Sequence, residues 1–220
     1  FDDESGYCQP CLSPVWDTGL AAHALLETGN VADTRDLQRA GDWLVQRQIL
    51  DVAGDWAVNA RHLRPGGWAF QYSNDHYPDV DDTAVVVMAL HRLNPERYRD
   101  AINRGAEWII GMQSRNGGWG AFDIDNEYYF LQHIPFADHG ALLDPPTADV
   151  SARCLSMLAQ LGYDNDHKSM SRVINYLKRE QERDGSWFGR WGNNYVYGTW
   201  SVLCALNIIG ENLEQPYIQK

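Results

Sequence analysis

One motif recurs along the chain and limits what it can fold into. Arg104-Gly105 leads to Trp108-Ile109, Gln113 and Gly117-Gly118-Trp119, and Tyr176-Leu177 leads to Gln181 and Gly185-Ser186-Trp187. A further copy reads Arg39-Ala40, Trp43-Leu44, Gln48 and Gly54-Asp55-Trp56. The second and third copies stand 68 residues apart at both Gln113/Gln181 and Trp119/Trp187. The third has Arg172-Val173 in place of Arg and a small residue. Self-similarity at a long fixed period marks a repeat architecture, in which no single unit can bury its own apolar face.

Between the copies lie Thr18 to Thr28, Asp82 to Leu93, Ala148 to Leu161 and Thr199 to Ile209, all apolar nearly all round. Such segments read as helices packed on every side, whereas the segments carrying the Gln/Trp signature are amphipathic, with Asp36, Arg39 and Asp42 on a polar face. The alternation predicts an all-α fold, an α/α toroid or barrel of inner and outer helices, with an open solenoid as the alternative. Glycine-rich turns after the outer helices suit their C-termini. About three and a half helical hairpins fit in the chain, fewer than a closed toroid commonly needs, so residues 1–220 are expected to form part of one α/α-barrel catalytic domain of a larger protein. The stretch from Ser114 to Thr147, with Pro135, Pro145 and Pro146, is too long for an ordinary connection and predicts a functional loop.

Charge and composition exclude several classes. A net charge of -12 without any Lys/Arg cluster argues against nucleic acid as a partner. The longest apolar run, Ala84 to Leu90, is far too short to span a bilayer, and nothing at the start reads as a cleavable leader; attachment to a membrane surface stays open. Cys8 and Cys11 have C-x-x-C spacing, but no second pair follows at metal-binding distance. Together with Cys154 and Cys204 they read as reduced structural thiols in a cytoplasmic setting, with no metal expected. The 9 Trp and 11 Tyr call first for a packing explanation.

The chemistry concentrates in Tyr77-Pro78-Asp79-Val80-Asp81-Asp82-Thr83, at the start of an apolar helix. A single Asp there would be ordinary capping. Three carboxyls in four residues exceed that need, and their repulsion favours retention of a proton. A retained proton on a polarised acid is what general acid catalysis on a very weak base requires. The other inner helices begin with comparable groups: Trp16-Asp17, Asp149 with Arg153, and Tyr197. Parallel inner helices would gather these starts at one end, near Asp81. Trp16, Trp68, Phe70, Tyr77, Trp119, Phe122, Trp187 and Trp191 lie beside the inner helices or the acidic run, where they serve either as π faces for a cation or as packing.

These features resemble a known family. The Gln/Trp repeat resembles that of triterpene cyclases, and Asp-Val-Asp-Asp at 79–82 is similar to the acidic run of squalene-hopene cyclases; oxidosqualene cyclases carry an Asp-Cys-Thr-Ala-Glu type of motif instead. The segments CLSPVWDTGLA (11–21), GGWAFQYSNDHYPDVDDTAVVVMAL (66–90), GMQSRNGGWGAFDIDN (111–126) and YLKREQERDGSWFGRWGNNYVYGT (176–199) carry the likeness. It extends over essentially all of the chain and corresponds to a central-to-C-terminal third of a two-domain enzyme. It implies that Asp81 delivers the proton, supported by Asp79 and Asp82, and that Tyr197 belongs to the network that reloads the acid. It further implies that Trp16, Phe70, Trp119, Phe122 and Trp191 are pocket aromatics, that Asp17, Asp149 and Tyr77 stand behind them, and that Phe136 lies near the substrate entrance.

The resemblance has two departures. Arg153 stands where the best-known members place a His paired to the catalytic Asp, and a guanidinium can sharpen acidity but cannot shuttle protons. Phe122 stands where some members have Tyr. The expected activity is cyclisation of squalene to hopene or hopanol without metal, nucleotide or organic cofactor, by a peripheral monotopic protein on the cytoplasmic face of the bacterial membrane, with room for a homodimer. This chain alone is expected to be inactive. The competing expectations are a cyclase of another linear terpenoid and a noncatalytic helical-repeat binding module.

Overall fold

A computed structural model describes residues 12–28, 34–135 and 142–220. Among them lie seven α-helices: α1 (Pro14–Glu27), α2 (Thr34–Gln46), α3 (Val80–Leu93), α4 (Arg99–Gly111), α5 (Ala148–Gln160), α6 (Lys168–Arg179) and α7 (Asn194–Ile208). Two-residue strands β1 (Trp68–Ala69) and β2 (Pro78–Asp79) pair antiparallel, with Trp68 opposite Asp79. Helix α1 packs on α3, α3 on α5 and α5 on α7, forming an inner row. Helices α2, α4 and α6 lie outside it, against α1 and α3, α3, and α5 respectively. The arrangement is the expected all-α succession of inner and outer helices, part of a toroid.

Burial explains the two sequence patterns. Every residue of α3 from Val80 to Leu90 is buried, because inner and outer neighbours cover it on both sides. In α5 the corresponding run, Ala148 to Leu158, is interrupted at Arg153, which is only partly buried. Helix α6 instead buries one stripe, including Met170, Val173, Ile174 and Leu177, and leaves its basic face to solvent. Helix α1 starts at Ser13, whose hydroxyl accepts the Trp16 amide, with Pro14 fixing the first helical residue.

The repeated Gln and Trp form a hydrogen-bonded joint. The Gln113 side-chain amide donates to Gly117 O in its own turn and to Ser169 O on α6, at 2.8 and 3.0 Å. Gln181 joins Gly185 O to Tyr217 O in the same way, and Gln48 joins Gly66 O to Ala101 O on α4. Each glutamine thus fastens one repeat to the next. The Trp119 indole donates to Ile109 O and its backbone N–H to the Ser151 hydroxyl of α5. Trp187 matches this with Leu177 O and Thr199. The indoles donate to carbonyls in the last turn of an outer helix, where the regular i to i+4 bonds run out, and each backbone N–H clips the turn to an inner helix.

One reading of the first copy is corrected here. Its tryptophan is Trp68, rather than Trp56: the Trp68 indole donates to Leu44 O and its backbone N–H donates to the Thr83 hydroxyl. Gly66-Gly67 are therefore the counterparts of Gly117-Gly118, and the 3₁₀ turn Asp55–Val58 belongs to an insertion. Trp56 is buried edge-on against Trp108, at 5.8 Å between ring centroids. The tightness of the turn is visible at Gly117, whose φ of +100° strains any side chain. At Gly118 a Cβ would come within 2.7 Å of the Tyr176 ring.

Among the described residues no group of His, Cys, Asp and Glu is placed to hold a metal ion, and no helix is long and apolar enough to cross a membrane. Cys154 is a buried free thiol and Cys204 an exposed one. Cys8 and Cys11 lie outside the described residues.

Candidate active site

The acidic run is held from several sides. Pairing of β1 with β2 fixes Asp79, which caps α3 by accepting the amides of Asp81 and Asp82 on Oδ1, at 2.7 and 3.2 Å. Thr83 Oγ1 donates to Asp79 O and accepts the Trp68 amide, and Val80 N–H donates to Ala121 O of the long loop. Asp79, Asp81 and Asp82 are all buried.

Asp81 meets Arg153 of α5. Arg153 Nε donates to Asp81 Oδ1 at 3.0 Å, and its Nη2 donates to Tyr197 Oη at 2.5 Å. Groups from α3, α5 and α7 therefore converge, and Trp16 of α1 joins them with its ring 5.3 Å from the guanidinium carbon. The inner helices do start at one end, which is why residues spread from 16 to 197 share one site.

Burial raises the pKa of Asp81, Arg153 opposes the rise, and Asp149 adds to it. The outcome is a carboxyl that holds its proton more firmly than a free one and whose conjugate base has a cation in contact. Asp79 and Asp82 are also pushed upward, first by burial and then by repulsion from neighbouring carboxyls. Asp82 Oδ1 is buried with no hydrogen-bond partner among the described residues, which favours its neutral form.

Two further carboxylates aim the aromatic loops. Asp144 accepts the amides of Ala121, Phe122 and Asp123, while Asp149 Oδ2 accepts that of Trp191 at 3.0 Å. The result is an edge-to-face pair of Phe122 and Trp191, with centroids 6.1 Å apart. Phe70 is anchored by its carbonyl, which accepts the Ser13 hydroxyl at 2.6 Å. The structure thus brings together Asp79, Asp81, Asp82, Arg153, Tyr197 and Trp16, with Phe122, Trp191 and Asp149 linked to one another alongside.

Other expected positions fall differently. Trp119 is fully buried with both N–H groups engaged, so it is a joint of the repeat and has no face to offer a ligand. Tyr77 is about half exposed, on the turn before β2, and Asp17 is exposed on α1, its charge reaching Asp82 only as a minor repulsion. Phe136 lies outside the described residues. Sequence reasoning passed over Asp144, because Asp-Pro-Pro within a long loop looks like turn chemistry. Trp200 of α7, whose ring lies 5.9 Å from the Arg153 guanidinium carbon, was hidden inside a uniformly apolar helix.

Residues 12–220 match the model of the squalene-hopene cyclase C-terminal domain. The chain is 61% identical to the squalene-hopene cyclase of Schizosaccharomyces japonicus over 94% of its own length and 33% of that protein's. It is 55% identical to the enzyme of that name from Alicyclobacillus acidocaldarius over 92% of its length and 32% of that protein's. It therefore spans about a third of the curated relatives it matches. Among solved structures, the type II terpene cyclase MstE from Scytonema superposes over 97% of this chain and 55% of its own with a TM-score of 0.65 at 19% identity, which shows a shared fold. A variant of that protein has been solved with geranylgeranyl dihydroxybenzoate as its substrate, with a TM-score of 0.63 over 94% of this chain and 52% of its own. The seven-helix succession, the Gln/Trp joints and the matched length together place the chain in the squalene-hopene cyclase C-terminal domain family.

Proposed function

We propose that this chain is the acid-bearing part of a larger barrel domain, in a protein that cyclises squalene to hopene or hopanol. The observation that carries the reading is the Asp81–Arg153 pair, a buried carboxyl whose conjugate base would face a permanent cation 3.0 Å away. In the first step the π electrons of the terminal alkene form a new C–H bond with the Asp81 proton, leaving a tertiary carbocation on the substrate and a carboxylate on the enzyme. Arg153 stabilises that carboxylate, which lowers the cost of giving up the proton. The cation passes along the folded polyene as rings close, and loss of a proton or capture of water ends the sequence. Phe122 and Trp191 present π faces that stabilise positive charge without reacting with it.

The test is Asp81→Asn in the full-length protein supplied with squalene. A nearly isosteric amide has no proton strong enough to transfer, so turnover is expected to vanish while the fold persists. Continued hopene formation would refute the assignment, and conversion of another linear polyene but not squalene would move it to the second reading, another terpenoid cyclase. Peripheral attachment to the cytoplasmic face of a membrane is part of the proposal. It is supported by exposed Tyr128, Tyr129 and Phe130 on one turn, and is checked by flotation with liposomes.

A further inference from the structure

The surroundings of Arg153 hold more than a salt bridge. Its guanidinium carbon lies 5.3 Å from the Trp16 ring, 6.0 Å from Tyr197 and 5.9 Å from Trp200, so rings from α1 and α7 face one cation. Tyr197 and Trp200 also touch each other, with centroids 5.7 Å apart. A guanidinium held near aromatic faces is bound by their quadrupoles and oriented as well, since it is planar and weakly hydrated.

The orientation has to be enforced, because Arg153 has somewhere else to go. It borders an open pocket of about 290 Å³ on the inner helices, lined also by His23, Met88, Arg92, Gln160, Ser201 and Trp200. The Ser201 hydroxyl there is buried with no partner among the described residues. A guanidinium that swung to the Ser201 hydroxyl would leave Asp81 without its cation, a move that only the Arg92 charge on the same wall opposes from within the pocket. Trp200 borders both the pocket and the cation.

We propose that Trp200 is a positioning residue for proton delivery: with Trp16 and Tyr197 it forms an aromatic sleeve that clamps the Arg153 guanidinium onto Asp81. Trp200 acts through Arg153 and does not touch the reacting atoms. The proposal rests on Asp81 being the acid. It also accounts for an arginine at this place, since a permanent cation needs no protonation to work but does need to be held.

The experiment compares Trp200→Phe and Trp200→Leu in the full-length enzyme with squalene as substrate. Loss of one cation–π contact is expected to lower kcat by between about 2-fold and about 30-fold in Trp200→Leu, with KM unchanged, and Trp200→Phe is expected to recover most of the loss. The same comparison in an Arg153→Met background should show no difference between Phe and Leu. Equal kcat for the two variants in the wild-type background, or a loss confined to KM, would overturn the proposal. Should Trp200→Leu not fold, Trp200→Met takes its place under the same criteria. Asp81→Asn is run in parallel: if it stays active, the acid assignment itself falls, whereas a dead Asp81→Asn with equal Phe and Leu variants sinks the sleeve alone.

Discussion

Replacing Arg153 by Met removes the cation from Asp81 while keeping an unbranched apolar stem. The two charges are 3.0 Å apart and their side chains are only 13% and 12% exposed. At an effective dielectric of about 20 the attraction is roughly 5 kcal/mol, part of which is offset by relief of the guanidinium's own desolvation. Breaking a buried pair from one side leaves a net loss of about 3–5 kcal/mol when the remaining carboxyl is ionised. Asp81 can escape that cost by binding a proton, which makes the loss pH-dependent. Its pKa is already raised in the fold, and removing Arg153 takes away the largest downward influence. A carboxyl with a raised folded pKa destabilises progressively as pH climbs above its unfolded value near 3.8, until pH passes the folded value, at about 1.4 kcal/mol per unit. Urea unfolding followed by tryptophan fluorescence should therefore show a large deficit for Arg153→Met at pH 8 that shrinks towards pH 4. The double variant with Asp81→Asn should recover most of it at pH 8. A deficit of the same size at both pH values, or no recovery in the double variant, would refute the idea that Arg153 serves to balance the Asp81 charge.

Asp82→Asn should stabilise the chain at pH 8 by at least about 1.4 kcal/mol, because burial and repulsion hold the wild-type pKa up, and the gain should shrink towards pH 4, near the unfolded value of 3.8, where the unfolded state also takes up its proton; a gain of full size at pH 4 counts against this cause. Gln113→Leu removes donors from Gly117 O and Ser169 O and an acceptor from Arg172, and should cost about 2–4 kcal/mol in urea unfolding, with a cost below about 0.5 kcal/mol speaking against the joint. Asp144→Ala should speed hydrogen exchange at the amides of Ala121, Phe122 and Asp123 and lower turnover in the full-length protein by releasing Phe122 from Trp191; unchanged exchange at those amides would show that the loop is held by something else.

The sequence by itself determined the inner and outer helices, because hydrophobic period follows from whether a helix is covered on one side or on both. It also singled out Asp79, Asp81 and Asp82, since adjacent carboxyls at a buried helix start are chemically costly wherever they sit. Spacing alone misplaced the first repeat's tryptophan: Trp56 stands at the expected interval, but Trp68 makes the bonds, since an insertion moves numbers without moving the joint. Spacing could not separate Trp119 from Trp191 either, because the same residue type fills a joint in one case and faces a partner ring in the other. Asp144 gave no signal, since its three acceptor contacts are to backbone amides 21 to 23 residues earlier in the chain. Only the tertiary structure set Arg153 on Asp81 and surrounded it with rings of α1 and α7. A hydrogen bond or a cation–π contact depends on distance in space, and parallel helices joined by long outer returns bring residues 16, 81, 153, 197 and 200 within reach of one another.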